Sequence, residues 1–372
     1  MRIGVPKEIK PQEFRVGMTP DGAHELTTHG HEVVVESGAG VGIDASDAAY
    51  EAAGARVLPD AAAVFDTAEL IVKVKEPLAV ERARLRPDHV LFTYLHLAPD
   101  VPQTRELVAS GATCIAYETI TDATGGLPLL KPMSQVAGRL SVQAGAQALE
   151  RAHGGRGLLM GGVPGVAPAR VAVIGGGVVG ENAIQVALGL GADVAVLDRN
   201  PLVLERLAHR FGPALTTLFS SKAVLEQAVL DADVVIGAVL IAGADTPKLV
   251  TRDMVSRMKQ GAALVDVAID QGGCFETSHP TTHQEPTYIV DGTVHYCVAN
   301  MPGCVPNTST YALTNATLPY VLRLANLGWR AALQADPHFR RGLNVANGRI
   351  TCQPVAEAQG LPFLAAEEAL AA

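Results

Sequence analysis

Up to about residue 118, short apolar runs alternate with stretches patterned as helices. "RIGVP" reads as a strand. Thr19 then offers a helix cap with Pro20 at the first helical position, and Gly30 ends that helix before the strand "HEVVVES". The alternation repeats through "SDAAYEAAG" and "ARVLP", "AAAVFDTA" and "ELIVKVK", "VERARLRP" and "DHVLFTYL", and "VPQTRELVASG" and "ATCIAYE". Apolar strands separated by helices predict a parallel sheet covered on both faces, in this half without a glycine loop for phosphate.

The Gly/Pro-rich "TDATGGLPLLKP" predicts a loop and a domain boundary, and a long helix is expected from Ser134 to His153. Its many Ala and Gly residues suit the close approach of another domain or subunit, although an ordinary buried helix fits equally well. A second strand–helix alternation starts at Val171 and runs to about Val298. From Asn300 on the pattern is mainly helical, and Pro319 is expected to kink or break "STYALTNATLPYVLRLANLG".

The strongest local signal lies in "ARVAVIGGGVVGENAIQVALGLGADVAVLD". A strand feeds Gly175-x-Gly177-x-x-Gly180, and a helix begins near Val178. The first glycine allows a tight turn, the second lets a pyrophosphate approach the backbone, and the third lets helix and strand pack. Unpaired amides at the helix start then meet the phosphate charge. Asp198 closes the next strand, where a carboxylate can bind ribose hydroxyls and repel a 2′-phosphate, so NAD is expected rather than NADP. A later apolar strand, "AALVDVAID", is read as ending on Asp270, at the reactive end of such a cofactor.

Composition narrows the class. A chain of 372 residues exceeds one ordinary core, so two domains are expected. A hydrophobic fraction of 48% with 18% charged residues suits a soluble α/β enzyme. The net charge of -9 argues against a nucleic-acid partner. No apolar run approaches the roughly 20 residues that cross a bilayer, and "MRIGVPKEIK" lacks a signal peptide's apolar stretch. Five cysteines without a Cys-x-x-Cys pair predict reduced thiols in a cytoplasmic protein, with neither disulfides nor zinc. His279 and His283 have metal-like spacing, but no convincing third ligand is near, so no metal is expected.

"GVPKEIKPQEFRVGMTPDG", "IVKVKEP", the glycine loop, "VDVAIDQGGC", "HPTTHQEPTY" and "VANMPGCVPNTSTYALTNATLPY" together resemble the alanine dehydrogenase family, related to the NAD-binding part of proton-translocating transhydrogenase. The resemblance implies an α/β fold of two doubly wound parallel-sheet domains. Residues 1–130 with 305–372 would form the substrate domain, and 131–304 a Rossmann-type NAD domain inserted within it. It implies reversible oxidative deamination of L-alanine to pyruvate and ammonium in the cleft between them, by a homohexamer. The pairing of His96 with Asp270 favours this over a transhydrogenase subunit, in which Glu is typical at the latter position.

Residue by residue, the resemblance assigns Arg15 to the substrate carboxylate and Lys75 to its carboxylate or carbonyl oxygen. By pattern alone Lys73 and Lys75 share one strand face and read as solvated; the resemblance leaves Lys73 structural. His96 would be the catalytic acid and base, Tyr94 would line the pocket, and Asp270 would stabilise a cationic iminium. Asn300 would reach both substrate and cofactor. Cofactor contacts would come from Ser134, Gly175, Gly177, Val178, Val179, Gly180, Asp198, Ser220, Val239 and Leu240. Val267, Ala268, Ile269 and Asp270, with Val298, Ala299, Asn300 and Met301, would pass the nicotinamide. Val203, Cys304 and Asn307 depart from the family pattern: many relatives have lysine at the first position, so an adenosine-side contact is expected to be missing.

Overall fold

The computed structural model describes residues 1–239 and 246–371, which divide into two units, Met1–Met133 with Val305–Ala372, and Ser134–Cys304. In the first unit, β1 (Arg2–Val5), β2 (Glu32–Glu36), β3 (Arg56–Leu58), β4 (Leu70–Val72), β5 (Val90–Thr93) and β6 (Thr113–Ala116) are parallel neighbours in the order β6-β5-β4-β1-β2-β3. β4, β5 and β6 are buried at every position, as expected when helices cover both sheet faces. The connecting helices start on local caps. Thr19, Ser46, Asp60 and Asp100 each accept an amide of the first helical turn.

The second unit repeats this winding with β7 (Arg170–Ile174), β8 (Asp193–Asp198), β9 (Leu215–Phe219), β10 (Val234–Gly237) and β11 (Ala263–Asp266). β12 (Thr287–Val290) and β13 (Thr293–Tyr296) form a hairpin, and β13 joins β11 in parallel. The order is β12-β13-β11-β10-β7-β8-β9, so only the edge strand β12 runs antiparallel. The chain then returns to the first sheet with β14 (Leu343–Ala346) and β15 (Arg349–Ile350), both antiparallel to their neighbours. Both folds are α/β and doubly wound, with antiparallel edges where a purely parallel pattern was expected.

Five expectations change. The tail is mainly helical, as expected, but gains one element not foreseen, a hairpin of β14 and β15 at Asn347-Gly348, both with positive φ. Asp291-Gly292 joins β12 to β13 in the same way. Each dipeptide was a legible turn signal, since such two-residue turns need left-handed backbone at both positions. Pro319 does not break its helix, which continues from Pro306 to Leu327. The lost hydrogen bond is outweighed by a long buried face that includes Leu313, Thr317, Val321 and Leu324. The helix expected from Ser134 instead spans Lys131–Ala148. Its small residues serve the second unit's own packing: a β-carbon on Gly138 would strike the Val179 carbonyl, and one on Gly145 would lie 2.9 Å from Val234.

The other two changes concern strand ends. "ELIVKVK" stops pairing at Val72, so Lys73 and Lys75 lie beyond the strand. "AALVDVAID" stops at Asp266, and Ile269–Gln271 forms a 3-10 turn. Among the described residues no helix is long and apolar enough to cross a membrane.

Candidate active site

β7 and β10 are neighbours where the second sheet reverses its order, so the turn after β7 opens at a topological switch point. Gly175 has φ 100°, and a β-carbon there would lie 2.7 Å from the Ala238 carbonyl oxygen. A β-carbon on Gly180 would overlap the Gly175 carbonyl. Gly177 faces open space and begins the helix Val178–Gly189 without a side-chain cap. The first-turn amides, including those of Val178, Val179 and Gly180, thus suit a pyrophosphate approaching past Gly177. The loop fits a dinucleotide.

Asp198, Ser220, Val239 and Val267 stand at or just past the carboxyl ends of strands of the same sheet. Asp198 ends β8, and its carboxylate accepts the amides of Gly176 at 2.7 Å and Asn200 at 2.8 Å. Asn200, not Asp198, caps the next helix. Ser220 follows β9 and donates its amide to the Asp198 carbonyl at 3.0 Å. Val239 lies just past β10, and Val267 just past β11, donating to the Gly237 carbonyl at 3.0 Å. Ser134 sits in the first turn of Lys131–Ala148. Leu240 lies outside the described residues. Val203 packs close to Gly176, and nearby Arg206 donates to the Gly176 carbonyl at 3.0 Å while pairing with Glu181. A cation therefore stands beside this loop despite the valine, a residue that the glycine pattern gave no reason to single out.

The tip of β11 is Asp266, fully buried. Its carboxylate accepts the amides of Ala268 at 3.1 Å, Cys274 at 2.9 Å and Phe275 at 3.3 Å, and the Ser278 hydroxyl at 2.6 Å. Burial pushes its pKa up, against those hydrogen bonds, which pull it down. Asp270, by contrast, is exposed on the turn below, where both carboxylate oxygens lie 3.3 Å from the Asn300 amide. Asn300 has φ 57°. The turn of Val267, Ala268, Ile269 and Asp270 is thereby tied to the stretch Val298, Ala299, Asn300 and Met301. His283 lies 3.3 Å from the Asn300 carbonyl, whereas His279 stacks on Tyr288 at 3.7 Å. No helix carries the two histidines, so their spacing does not align them.

In the first unit the order reverses between β1 and β4; the loops after these two strands carry Arg15 and Lys75, and the turn after the adjacent β5 carries Tyr94 and His96. Arg15 is buried, with Nε and Nη2 donating to the two Glu13 oxygens at 2.7 and 2.6 Å and Nη1 facing the Met133 sulfur at 3.1 Å. Hydrogen bonding and charge from Glu13 raise the Arg15 pKa against the opposing pull of burial. Lys73 is not solvated but wholly buried, 3.2 Å from Glu8 and 2.7 Å from Glu81. Lys75 is largely covered and lies 3.8 Å from Glu76. Glu8 holds this loop by accepting the amides of Val74 at 2.7 Å and Lys75 at 3.3 Å.

His96 stands three residues beyond β5 with φ 49° and a half-exposed ring. The ring stacks on Tyr94, with centroids 5.8 Å apart. Tyr94 is buried and donates its hydroxyl to the Leu129 carbonyl at 2.6 Å; burial raises its pKa. Glu118 accepts the His96 amide at 2.6 Å and lies 4.0 Å from Nδ1. Glu8, Glu13, Glu118, Met133 and Asp266 were all missed in the sequence. Apart from Glu13, whose partner Arg15 is two residues on, their partners are distant or backbone atoms, so no spacing announces them. Cys304 is exposed, and Asn307 donates to the Ile43 carbonyl at 3.2 Å; nothing in the structure explains these two departures.

Residues 4–137 match the family described as "Alanine dehydrogenase/PNT, N-terminal domain", and residues 141–353 match its C-terminal domain. The alanine dehydrogenase of Halomonas elongata is 63% identical over 98% of this chain and 99% of its own length. A solved L-alanine dehydrogenase superposes with TM-score 0.94 at 51% identity, covering 97% of this chain and 99% of that one. A transhydrogenase from Sinorhizobium meliloti superposes with TM-score 0.82 at 26% identity, covering 95% and 99%.

Proposed function

The chain belongs to the alanine dehydrogenase/PNT family, and we propose that it is an NAD-dependent alanine dehydrogenase catalysing L-alanine + NAD⁺ + H₂O ⇌ pyruvate + NH₄⁺ + NADH + H⁺. One arrangement carries this reading: the loops after β1 and β4, at the reversal point of the first sheet, and after the adjacent β5 bear a buried guanidinium, a lysine and a half-exposed imidazole. Those are the groups needed to hold a small carboxylic acid and to move its protons. Residues 1–130 with 305–372 are the substrate domain, and 131–304 the cofactor domain.

Arg15 and Lys75 bind the substrate carboxylate and the oxygen beside it. Glu13 grips two edges of the guanidinium, so its orientation is set before substrate arrives. Bound NAD⁺ supplies the hydride acceptor, held by Gly175, Gly177, Gly180 and Asp198. As the hydride leaves Cα, the amine becomes an iminium cation. Asp270 stabilises that charge, which is largest along the reaction path rather than in the reactant. His96 takes a proton as water adds and returns one as ammonia departs. The half-exposure of its ring suits exchange with solvent.

The deciding assay is NADH consumption with pyruvate and ammonium, run beside 2-oxobutyrate and 2-oxoglutarate. Oxidation that needs both pyruvate and ammonium supports the dehydrogenase. Hydride exchange with a second nucleotide, without need of either, would make the chain a transhydrogenase component instead. The same reading makes the protein a cytoplasmic homohexamer, which a solution mass by light scattering checks.

A further inference from the structure

We propose that Asp266 is the positioning residue of the cofactor site, setting the conformation of the turn that presents Val267 to Asp270. The inference deepens the proposed function and rests on it for the role of that turn.

Asp266 sits at a buried strand tip and is surrounded by donors rather than cations. Among the described residues no lysine, arginine or histidine pairs with it. Its four closest partners are three amides and one hydroxyl, with the Cys274 thiol 3.6 Å away as a fifth. A buried ion balanced only by neutral dipoles is a costly way to stabilise a core, and an apolar side chain of similar size would do better. The carboxylate does something an apolar group cannot. It clamps residue 268 and residues 274–275 to one point, closing the intervening segment into a fixed loop.

A second observation points the same way. Gly273 has φ 75°, and a β-carbon there would lie 2.6 Å from the Asp266 Oδ2 atom. The backbone thus passes the carboxylate too closely for any residue with a side chain. From Ser278 the network runs on through the Cys297 sulfur at 3.6 Å and the Tyr288 hydroxyl at 3.4 Å, and Tyr288 accepts the His279 amide at 2.9 Å. Asp270 in turn meets the Asn300 amide. One buried carboxylate therefore registers the two stretches expected to pass the nicotinamide, while touching neither substrate nor cofactor itself.

The test is Asp266→Asn in the full-length protein. The carboxamide keeps the shape but turns one acceptor into a donor aimed at other donors. The folded variant is expected to bind NADH about tenfold or more weakly and to lose kcat, with the pyruvate KM unchanged because the first unit supplies the acid's anchors. A lower melting temperature with NADH affinity and kcat within about twofold of wild type would show Asp266 to be a stability element only and overturn the proposal. If Asp266→Asn does not fold, Ser278→Ala decides by the same readout, because it removes one donor from the carboxylate and otherwise gives up only the weak thiol contact from Cys297. Weakened NADH binding supports the proposal there, and unaltered binding overturns it. Should wild-type protein bind NADH but ignore pyruvate and ammonium, the proposed reaction fails while the binding comparison still judges Asp266.

Discussion

Glu118 accepts the backbone proton of His96 at 2.6 Å, and His96 stands in the left-handed region at φ 49°. Such a conformation costs a residue with a side chain on the order of 1–3 kcal/mol and persists only when something holds it. The same carboxylate accepts the Leu95 amide at 3.2 Å, so it grips the turn at two successive residues.

Glu118→Ala is therefore expected to lower kcat about 10- to 100-fold, the kinetic equivalent of the strain it restrains. NADH affinity should stay within about twofold, since that site lies on the other unit. His96→Ala should lose more, roughly 10²- to 10⁴-fold in kcat. Steady-state kinetics beside a fluorescence titration of NADH separate the cases. Full turnover in Glu118→Ala would detach the held turn from catalysis.

Arg15 and Glu13 form a buried bidentate pair. Arg15→Ala should raise the pyruvate KM and also destabilise the fold by about 3–5 kcal/mol, because the buried Glu13 carboxylate loses the guanidinium that balances its charge. Arg15→Ala with Glu13→Ala should recover much of the stability but none of the affinity. Denaturant melts and pyruvate saturation curves on both variants check this. Coincident recovery of both properties would remove Arg15 from substrate binding.

Asp198 uses its oxygens to hold the Gly176 and Asn200 amides. Asp198→Ala should weaken NADH and relieve repulsion of a 2′-phosphate, narrowing the preference for NADH over NADPH by about tenfold, or roughly 1.4 kcal/mol. Titration with each reduced nucleotide measures it. An unaltered ratio would mean that discrimination lies elsewhere on the loop.

His295 is buried, with Nδ1 donating to the Thr293 carbonyl at 3.1 Å and Nε2 2.7 Å from the Thr277 hydroxyl. Burial pushes its pKa down to about 4. The unfolded chain takes up a proton below about pH 6.5, whereas the folded one waits until about pH 4. The stability from neutral His295 is thus complete above the unfolded value and is lost as pH falls through that window. Between pH 7 and pH 5 the loss should be about 2 kcal/mol. His295→Gln should lose correspondingly less across the same interval in urea melts. Equal losses would mean that other groups dominate the acid response.

The winding of both sheets was legible because strand and helix periods alternate cleanly and caps such as Thr19 and turns such as that at Gly175 are local signals. Strand ends were harder. In "AALVDVAID" two carboxylates occur four residues apart, and periodicity cannot say which one terminates the ladder. The pairing of Asp266 with amides eight and nine residues on decides it. Lys73 illustrates the same gap, since its solvation depends on Glu8 and Glu81, and Glu8 is remote in sequence. Pro319 shows the converse error. A local rule against proline lost to the burial of a whole helix face.

The antiparallel contact between β14 and β6 joins Leu343 to Ile115 across the whole of the inserted second unit. A ribosome making this protein must therefore release an entire nucleotide-binding fold before the first sheet can acquire its last partners. Until then the rim of β6 stays open, with amides and carbonyls ready to recruit a foreign strand. Such a late, long-range closure is slow. Truncation shortly before residue 343 should thus yield a chain whose second unit folds while the start of the first clumps.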